Sequence, residues 1–133
     1  MTEYERSRTM PVPPDRVFAE AADAGRMDSW LPRALHVHVE DPPAVTVHED
    51  RTGADTAALL RARPEQMRVE WGTREAGAYA GWLQVAGIGS GESEVIVHLS
   101  FFDDDHDPGP REVTDALDTS LLRLEEQARR SAA

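Results

Sequence analysis

Apolar and polar residues alternate in blocks of period two along most of this chain, broken twice by a helical period. Tyr4, Thr9 and Met10 alternate with polar residues and predict a strand over Glu3 to Met10. Pro11, Pro13 and Pro14 end it, and Pro14 suits a first helical position because its missing N–H costs nothing there. Val17, Phe18, Ala21 and Ala22 then recur at helical spacing, and Gly25 suits a left-handed helix stop. Met27, Trp30 and Leu31 give a second short helix one apolar face before Pro32 ends it.

Strand signals follow. Leu35 to Glu40 and Val45 to Arg51 read as a pair joined around Asp41-Pro42-Pro43. The alanines and leucines of Asp55 to Arg63 favour helix, but the segment is short and bounded by Gly53 and Pro64. Lying in a series of strands, it is expected to be one. Gln66 to Arg74 alternates clearly, with Met67, Val69 and Trp71 on one face. Tyr79 to Ile88 and Glu94 to Phe102 form a hairpin across Gly87-Ile88-Gly89-Ser90-Gly91, and Asp103 to Gly109 is a loop. The last element is a long amphipathic helix from Pro110 to about Arg130, with Val113, Leu117, Leu121, Leu124 and Ala128 on one face and Ala116 and Ser120 beside them. Acidic residues come early in it and Arg129 and Arg130 late, as the helix dipole favours.

This order predicts an α+β fold. A curved seven-stranded antiparallel sheet wraps around the long C-terminal helix, and two short helices follow the first strand. A sheet of that size curls and needs cover on one face, which the last helix supplies. The space left between them can be closed by the two short helices, and small helix residues such as Ala116 and Ser120 widen it.

With 133 residues the chain reads as one domain, residues 1–133, large enough for a core and a cavity. It has no cysteine, which excludes disulfides, thiol nucleophiles and cysteine metal sites. Asp and Glu number 25 against 14 Lys and Arg, a net charge of −11. That balance repels nucleic-acid phosphates and anionic membranes. The first residues lack the apolar core of a signal peptide and no apolar run reaches spanning length, so a cytoplasmic location is expected.

Four pieces, in order, resemble the SRPBCC or START-like helix-grip superfamily, especially its bacterial polyketide cyclase/dehydrase and lipid-transport branch. They are the strand followed by PVPPDRVFAEAADAGRMDSWLP, the segment MRVEW at Met67 to Trp71, the hairpin AGWLQV…GESEVIVHLSF between Ala80 and Phe102, and the closing helix. The resemblance covers nearly the whole chain. It implies a small hydrophobic ligand, lipid- or polyketide-like, held between sheet and helix. It leaves open an aromatase/cyclase-like enzyme, and a non-enzymatic interaction protein with a filled interior. Residues Thr52 to Pro64 lack the aromatic richness of many ligand-binding members, which implies a small or partly filled cavity.

Trp30, Trp71, Tyr79, Trp82, Phe101 and Phe102 are most of the chain's eight aromatics. Alternation puts Tyr79, Gly81 and Leu83 on the face opposite Trp82. It puts Val95, Val97, Leu99 and Phe101 toward the helix, and His98 and Phe102 away from it. The expected ligand-contacting set is Trp30, Leu31, Trp71, Tyr79, Trp82, Leu99, Phe101, Leu117, Ser120 and Leu121. No catalytic residue, metal ligand or cofactor site is singled out; the expected partner is a small hydrophobic molecule, with a homodimer left open.

Other candidates have plainer readings. His36, His38 and His48 share a face if the register pairs His36 with His48, and three histidines can bind zinc. As solvated residues behind Val37, Val39, Val45 and Val47 they need no metal. Asp103, Asp104, Asp105 and Asp107 lack the spacing of a calcium loop and precede a helix start, where negative charge is favourable. Gly87, Gly89 and Gly91 join strand to strand, unlike a phosphate loop, and Ser90 has Ile88 where a nucleophile elbow needs glycine. Arg33, Arg61 and Arg63 are candidates to hold a carboxylate or phenolate at an apolar cavity, or surface residues with buried stems.

Overall fold

The computed structural model describes residues 2–32, 35–39, 41, 43–50, 52–73, 79–102 and 107–132. Arg33, the strand ends expected at Glu40, Arg51 and Arg74, and Asp103 to Asp105 lie outside the described residues. The elements are β1 (Thr2–Met10), α1 (Pro14–Ala22), a 3₁₀ helix (Ala24–Ser29), β2 (Leu35–Val39), β3 (Ala44–Glu49) and β4 (Asp55–Arg63). A 3₁₀ turn (Pro64–Gln66), β5 (Arg68–Thr73), β6 (Tyr79–Gly89), β7 (Glu92–Phe101) and α2 (Pro110–Ala132) complete them.

All seven strands form one sheet in the order β1-β7-β6-β5-β4-β3-β2, with every neighbouring pair antiparallel. The long helix and the short N-terminal helices complete the expected helix-grip α+β architecture. β4 is a strand despite its helix-prone composition, because it is hydrogen-bonded on both sides, to β3 and β5. Tertiary pairing outweighs intrinsic preferences of a few tenths of a kcal/mol per residue.

Four local details differ from the sequence expectation. α1 is closed by Asp23, in an extended conformation, and not by a left-handed Gly25. The Asp23 carboxylate accepts a bond from the Gly25 N–H at 3.1 Å and so starts the 3₁₀ helix. That helix ends before Trp30, which is its C-cap. Met67 is left-handed, with φ 50°, and turns the chain from the Pro64–Gln66 turn into β5. The β6–β7 hairpin is tighter than Gly87 to Gly91, with Ser90 and Gly91 at its tip and a register shift between Gly87 and Gly89.

The interior divides into two apolar clusters. The larger joins the inner face of β1, β5, β6 and β7 to α1 and α2; Leu83, Val95, Val17, Leu121 and Leu124 are among its fully covered members. Each such side chain contributes about 1.5–3 kcal/mol by leaving water. The smaller cluster is Val45, Val47 and Ala58 on β3 and β4, with Leu35 and Val37 beside it. Leu60 packs against both clusters. Edge strand β1 is tied to α2 by polar bonds. The Arg6 guanidinium donates to both Asp118 oxygens, at 2.8 and 2.7 Å, and Arg8 donates to Glu125 at 3.0 Å. The Tyr4 hydroxyl donates to Asp107 at 2.9 Å, and Asp107 also accepts from the Gly109 N–H just ahead of α2. Asp107, the described member of the acidic run, thus builds the entry to the helix.

Candidate functional site

Between the two apolar clusters lies a cavity of about 210 Å³. Its floor is the inner face of the sheet: Val45, Val47 and Glu49 from β3, Leu60 from β4, Trp71 from β5, Tyr79 and Leu83 from β6, and Val97, Leu99 and Phe101 from β7. One helical face of α2, from Glu112 and Val113 through Ala116 and Leu117 to Ser120 and Leu121, forms the roof. The 3₁₀ helix and the residues after it close one end with Met27, Trp30, Leu31 and Pro32. That closing segment is held from two sides. The Arg123 guanidinium of α2 donates to the Leu31 and Asp28 carbonyls, and the Asp28 carboxylate accepts from the Val37 N–H of β2.

Nine of the ten expected contact residues line this cavity: Trp30, Leu31, Trp71, Tyr79, Leu99, Phe101, Leu117, Ser120 and Leu121. Trp82 does not, and its inclusion is corrected by strand alternation. With Tyr79, Gly81 and Leu83 facing inward, Trp82 faces out. There it stacks on His98 of the paired strand, with ring centroids 5.2 Å apart, under the Arg68 guanidinium at 4.4 Å. His98 also lies on the outer face, beside Glu3 and Glu5.

Trp71 reaches its place on the wall because Gly81 is opposite it. A Cβ at Gly81 would lie 2.7 Å from the Trp71 indole and 2.6 Å from the His98 carbonyl oxygen. The glycine is therefore a seat for the ring, used for close approach and not for unusual backbone angles.

The wall carries few polar groups. Tyr79 is buried, and its phenol is pushed up to about 12, first by burial and then by the negative charge of Glu49. Glu49 is itself 8% exposed, and the Thr52 hydroxyl donates to it at 3.3 Å. Ser120 and Trp30 are also buried, and among the described residues neither the Ser120 Oγ nor the Trp30 Nε1 has a hydrogen-bond partner. The sequence reading missed Glu49. Its signal was parity: Val45, Val47 and Glu49 fall on one face of the strand, so the glutamate follows the valines inward.

The remaining candidates lie elsewhere. The register pairs His36 with His48, on the outer face of β2 and β3. They form a chain of contacts with Asp28, Asp50 and Asp55, at 2.7–3.7 Å. The Asp50 carboxylate, through its hydrogen bond, holds the His36 imidazole above its usual range. Among the described residues no group of three or more His, Asp or Glu is placed to hold a metal ion. Arg61 lines an open groove of about 540 Å³ beside Ala22 and Ala24, which shares Val45 and Leu60 with the cavity. Arg63 is paired with Glu70 at 2.7 Å. Gly87, Gly89 and Gly91 belong to the β6–β7 hairpin. Among the described residues no helix is long and apolar enough to cross a membrane.

Comparison with known proteins matches residues 1–129 to a family described as polyketide cyclase / dehydrase and lipid transport. No curated protein matches the chain. Among solved structures, the Zhui aromatase/cyclase from Streptomyces sp. R1128 is similar over 99% of this chain and 96% of its own, with TM-score 0.71 and 16% identity. A protein of Thermus thermophilus is similar over 99% of this chain and 100% of its own, with TM-score 0.74 and 18% identity. The di-domain ARO/CYC BexL from the BE-7585A biosynthetic pathway is similar over 95% of this chain, with TM-score 0.70 and 18% identity. This chain spans 46% of that protein's length. At these identities the likeness is one of fold.

Proposed function

The chain belongs to the polyketide cyclase/dehydrase and lipid transport family, and on that footing we propose that it binds a small hydrophobic molecule, lipid- or polyketide-like, in the cavity between sheet and α2. The observation that carries this reading is the apolar space itself. Folding gains by filling such spaces, and a void forfeits about 24 cal/mol for each Å³ left empty. A space kept open by small residues, Ala116 and Ser120, across from aromatic walls is shaped as ligand sites are. The same space weighs against an interaction protein with a filled interior. Its modest volume favours a compact ring system over a long acyl chain.

Native mass spectrometry of freshly purified protein, followed by extraction, tests the reading. A bound apolar species, or quenching of tryptophan emission by apolar probes, is expected. No bound species and no response to any probe would sink it.

A second reading, an aromatase/cyclase-like enzyme, is favoured by one observation. Two ionisable side chains, Glu49 and Tyr79, line the cavity, and the negative charge of Glu49 adds to burial in raising the Tyr79 phenol. A carboxylate and a neutral phenol are suited to taking a proton and stabilising the resulting oxyanion. If an extracted ligand is turned over, Glu49→Gln and Tyr79→Phe should each slow turnover more than they weaken binding. Equal loss of both would assign these residues to binding alone.

A further inference from the structure

The outer face of the sheet, turned away from α2, carries charge in a definite order. Antiparallel register lines up one row of outward side chains across five strands: Glu5 on β1, His98 on β7, Trp82 on β6, Glu70 on β5 and Arg61 on β4. In the flanking rows Glu3 lies on β1, and Arg68 and Arg63 lie on β5 and β4. Trp82 stands between the two halves as a ridge, held by the His98 ring on one side and the Arg68 guanidinium on the other. On the β1 side of the ridge the charges are negative, Glu3 and Glu5. On the β4–β5 side Arg61, Arg63 and Arg68 outnumber Glu70. Glu70 is already matched by Arg63 and Arg68, at 2.7 and 2.9 Å. Arg61 is exposed and has no hydrogen bond or ion pair among the described residues.

This order selects an occupant. A partner of one sign, such as a nucleic acid or an acidic peptide, gains on one side of Trp82 and is repelled on the other. A surface with the same charges in reversed order fits both sides, and a second copy of this chain supplies it. A copy turned through 180° about an axis along β6 lays β1 over β4 and β7 over β5. Glu5 then faces Arg61 of the second copy, His98 faces Glu70 of the second copy, and Trp82 meets its own equivalent. Each contact occurs twice, as a twofold axis requires. An axis across the strands would instead set Glu5 on Glu5 and Arg61 on Arg61, so the charge order also fixes the orientation.

We propose that the outer sheet face is the contact of a homodimer, with its twofold axis along β6 and Trp82 at its centre. Facing sheets pack about 10 Å apart and about 30° from alignment, so Glu and Arg side chains are long enough to bridge the margins. The sheet curls around α2, so its outer face is convex and the contact is confined to the middle strands. Five strands about 4.8 Å apart and three rows about 7 Å apart cover roughly 400–500 Å² on each copy. The total, roughly 800–1,000 Å², is the size of weak and exchanging pairs. The dimer therefore forms in the micromolar range, and the cavity on the opposite face is left unobstructed in both copies.

Sedimentation equilibrium of the full chain, across a series from about 1 µM to about 1 mM, tests the proposal. In about 0.15 M salt the overall charge of −11 is screened beyond about 8 Å, whereas facing pairs are closer than that. Wild type should pass reversibly from monomer to dimer as concentration rises. Glu5→Arg and Arg61→Glu should each weaken dimerisation about 10-fold or more, because each sets like charges face to face twice. Mixed in equal amounts, the two variants should dimerise as well as wild type, because every facing contact in the mixed pair again joins opposite charges. Both positions are exposed, and unchanged melting curves distinguish a lost contact from a lost fold. Wild type that stays monomeric at every concentration would overturn the proposal, as would a dimer that both reversals leave intact. A mixture of the folded variants that stays monomeric would overturn the facing of Glu5 and Arg61.

Discussion

Replacing Gly81 by alanine should destabilise the protein and disturb the cavity together, and the size of the effect follows from two distances. The added Cβ would stand 2.6 Å from the His98 carbonyl oxygen and 2.7 Å from the Trp71 ring, where ordinary contact begins at 3.4 Å. The ring can tilt, but the carbonyl belongs to the β6–β7 ladder and cannot move without straining its hydrogen bonds. Overpacking of this kind costs about 1–3 kcal/mol. Glycine-to-alanine exchange returns about 0.4–1 kcal/mol by restricting the unfolded chain. A net loss of about 1–2 kcal/mol corresponds, for a chain of this size, to a fall in Tm of roughly 3–10 °C. Circular dichroism melting measures the fall, and tryptophan emission, read in a background lacking Trp30 and Trp82, reports the displaced Trp71. Gly72→Ala is the control on the same strand pair. Its Cβ would meet the Ala80 Cβ at an ordinary 3.4 Å, so its Tm should not drop. A Gly81→Ala protein with unchanged Tm and unchanged Trp71 emission would refute the claim that the glycine seats the ring.

Three further outcomes are expected. Tyr79 holds its proton up to about 12 in the folded state, so the unfolded chain ionises first as pH rises above the ordinary value of 10. The tyrosine therefore costs no stability below about pH 10, and stability falls as pH climbs from 10 towards 12; Tyr79→Phe should flatten that slope in alkaline melting curves. Arg123→Gln weakens the charge-assisted bonds to the Leu31 and Asp28 carbonyls. Amide exchange at residues 27–32 should accelerate, by the equivalent of about 1–2 kcal/mol, with little change in the centre of the sheet. The Arg6–Asp118 pair is bidentate but nearly half exposed. A double-mutant cycle in denaturant should give a coupling of no more than about 1 kcal/mol, diminished by salt.

The fold was legible because it is written in periodicity and order. The switch from period two to the helical pattern marks β1, α1 and α2, and six strand signals in succession imply a meander. β4 was readable only through its neighbours, because its own residues argue for helix. Gly25 misled because a helix can equally be closed by an extended aspartate that caps the next turn. The cavity wall was legible where parity fixes the face, as for Trp71, Tyr79, Leu99 and Phe101. The same parity, applied to Trp82, would have removed it, and applied to Glu49 would have added it. The missing bonds of Trp30 and Ser120 depend on side-chain placement across elements and leave no mark in the sequence.

The pairing of β1 with β7 has a consequence in time. β1 is made before the other six strands, yet Thr2 pairs with Phe101 and Tyr4 bonds to Asp107, 103 residues further along the chain. Contacts this distant in sequence form slowly, and for that interval β1 is an unpaired strand open to other chains. Its sequence suits the wait: Glu3, Glu5, Arg6 and Arg8 put charge on both faces of the strand, a pattern that discourages pairing with copies of itself. The two arginines later become the ties to Asp118 and Glu125. The charges that close the finished fold thus also keep the growing chain from closing on a neighbour.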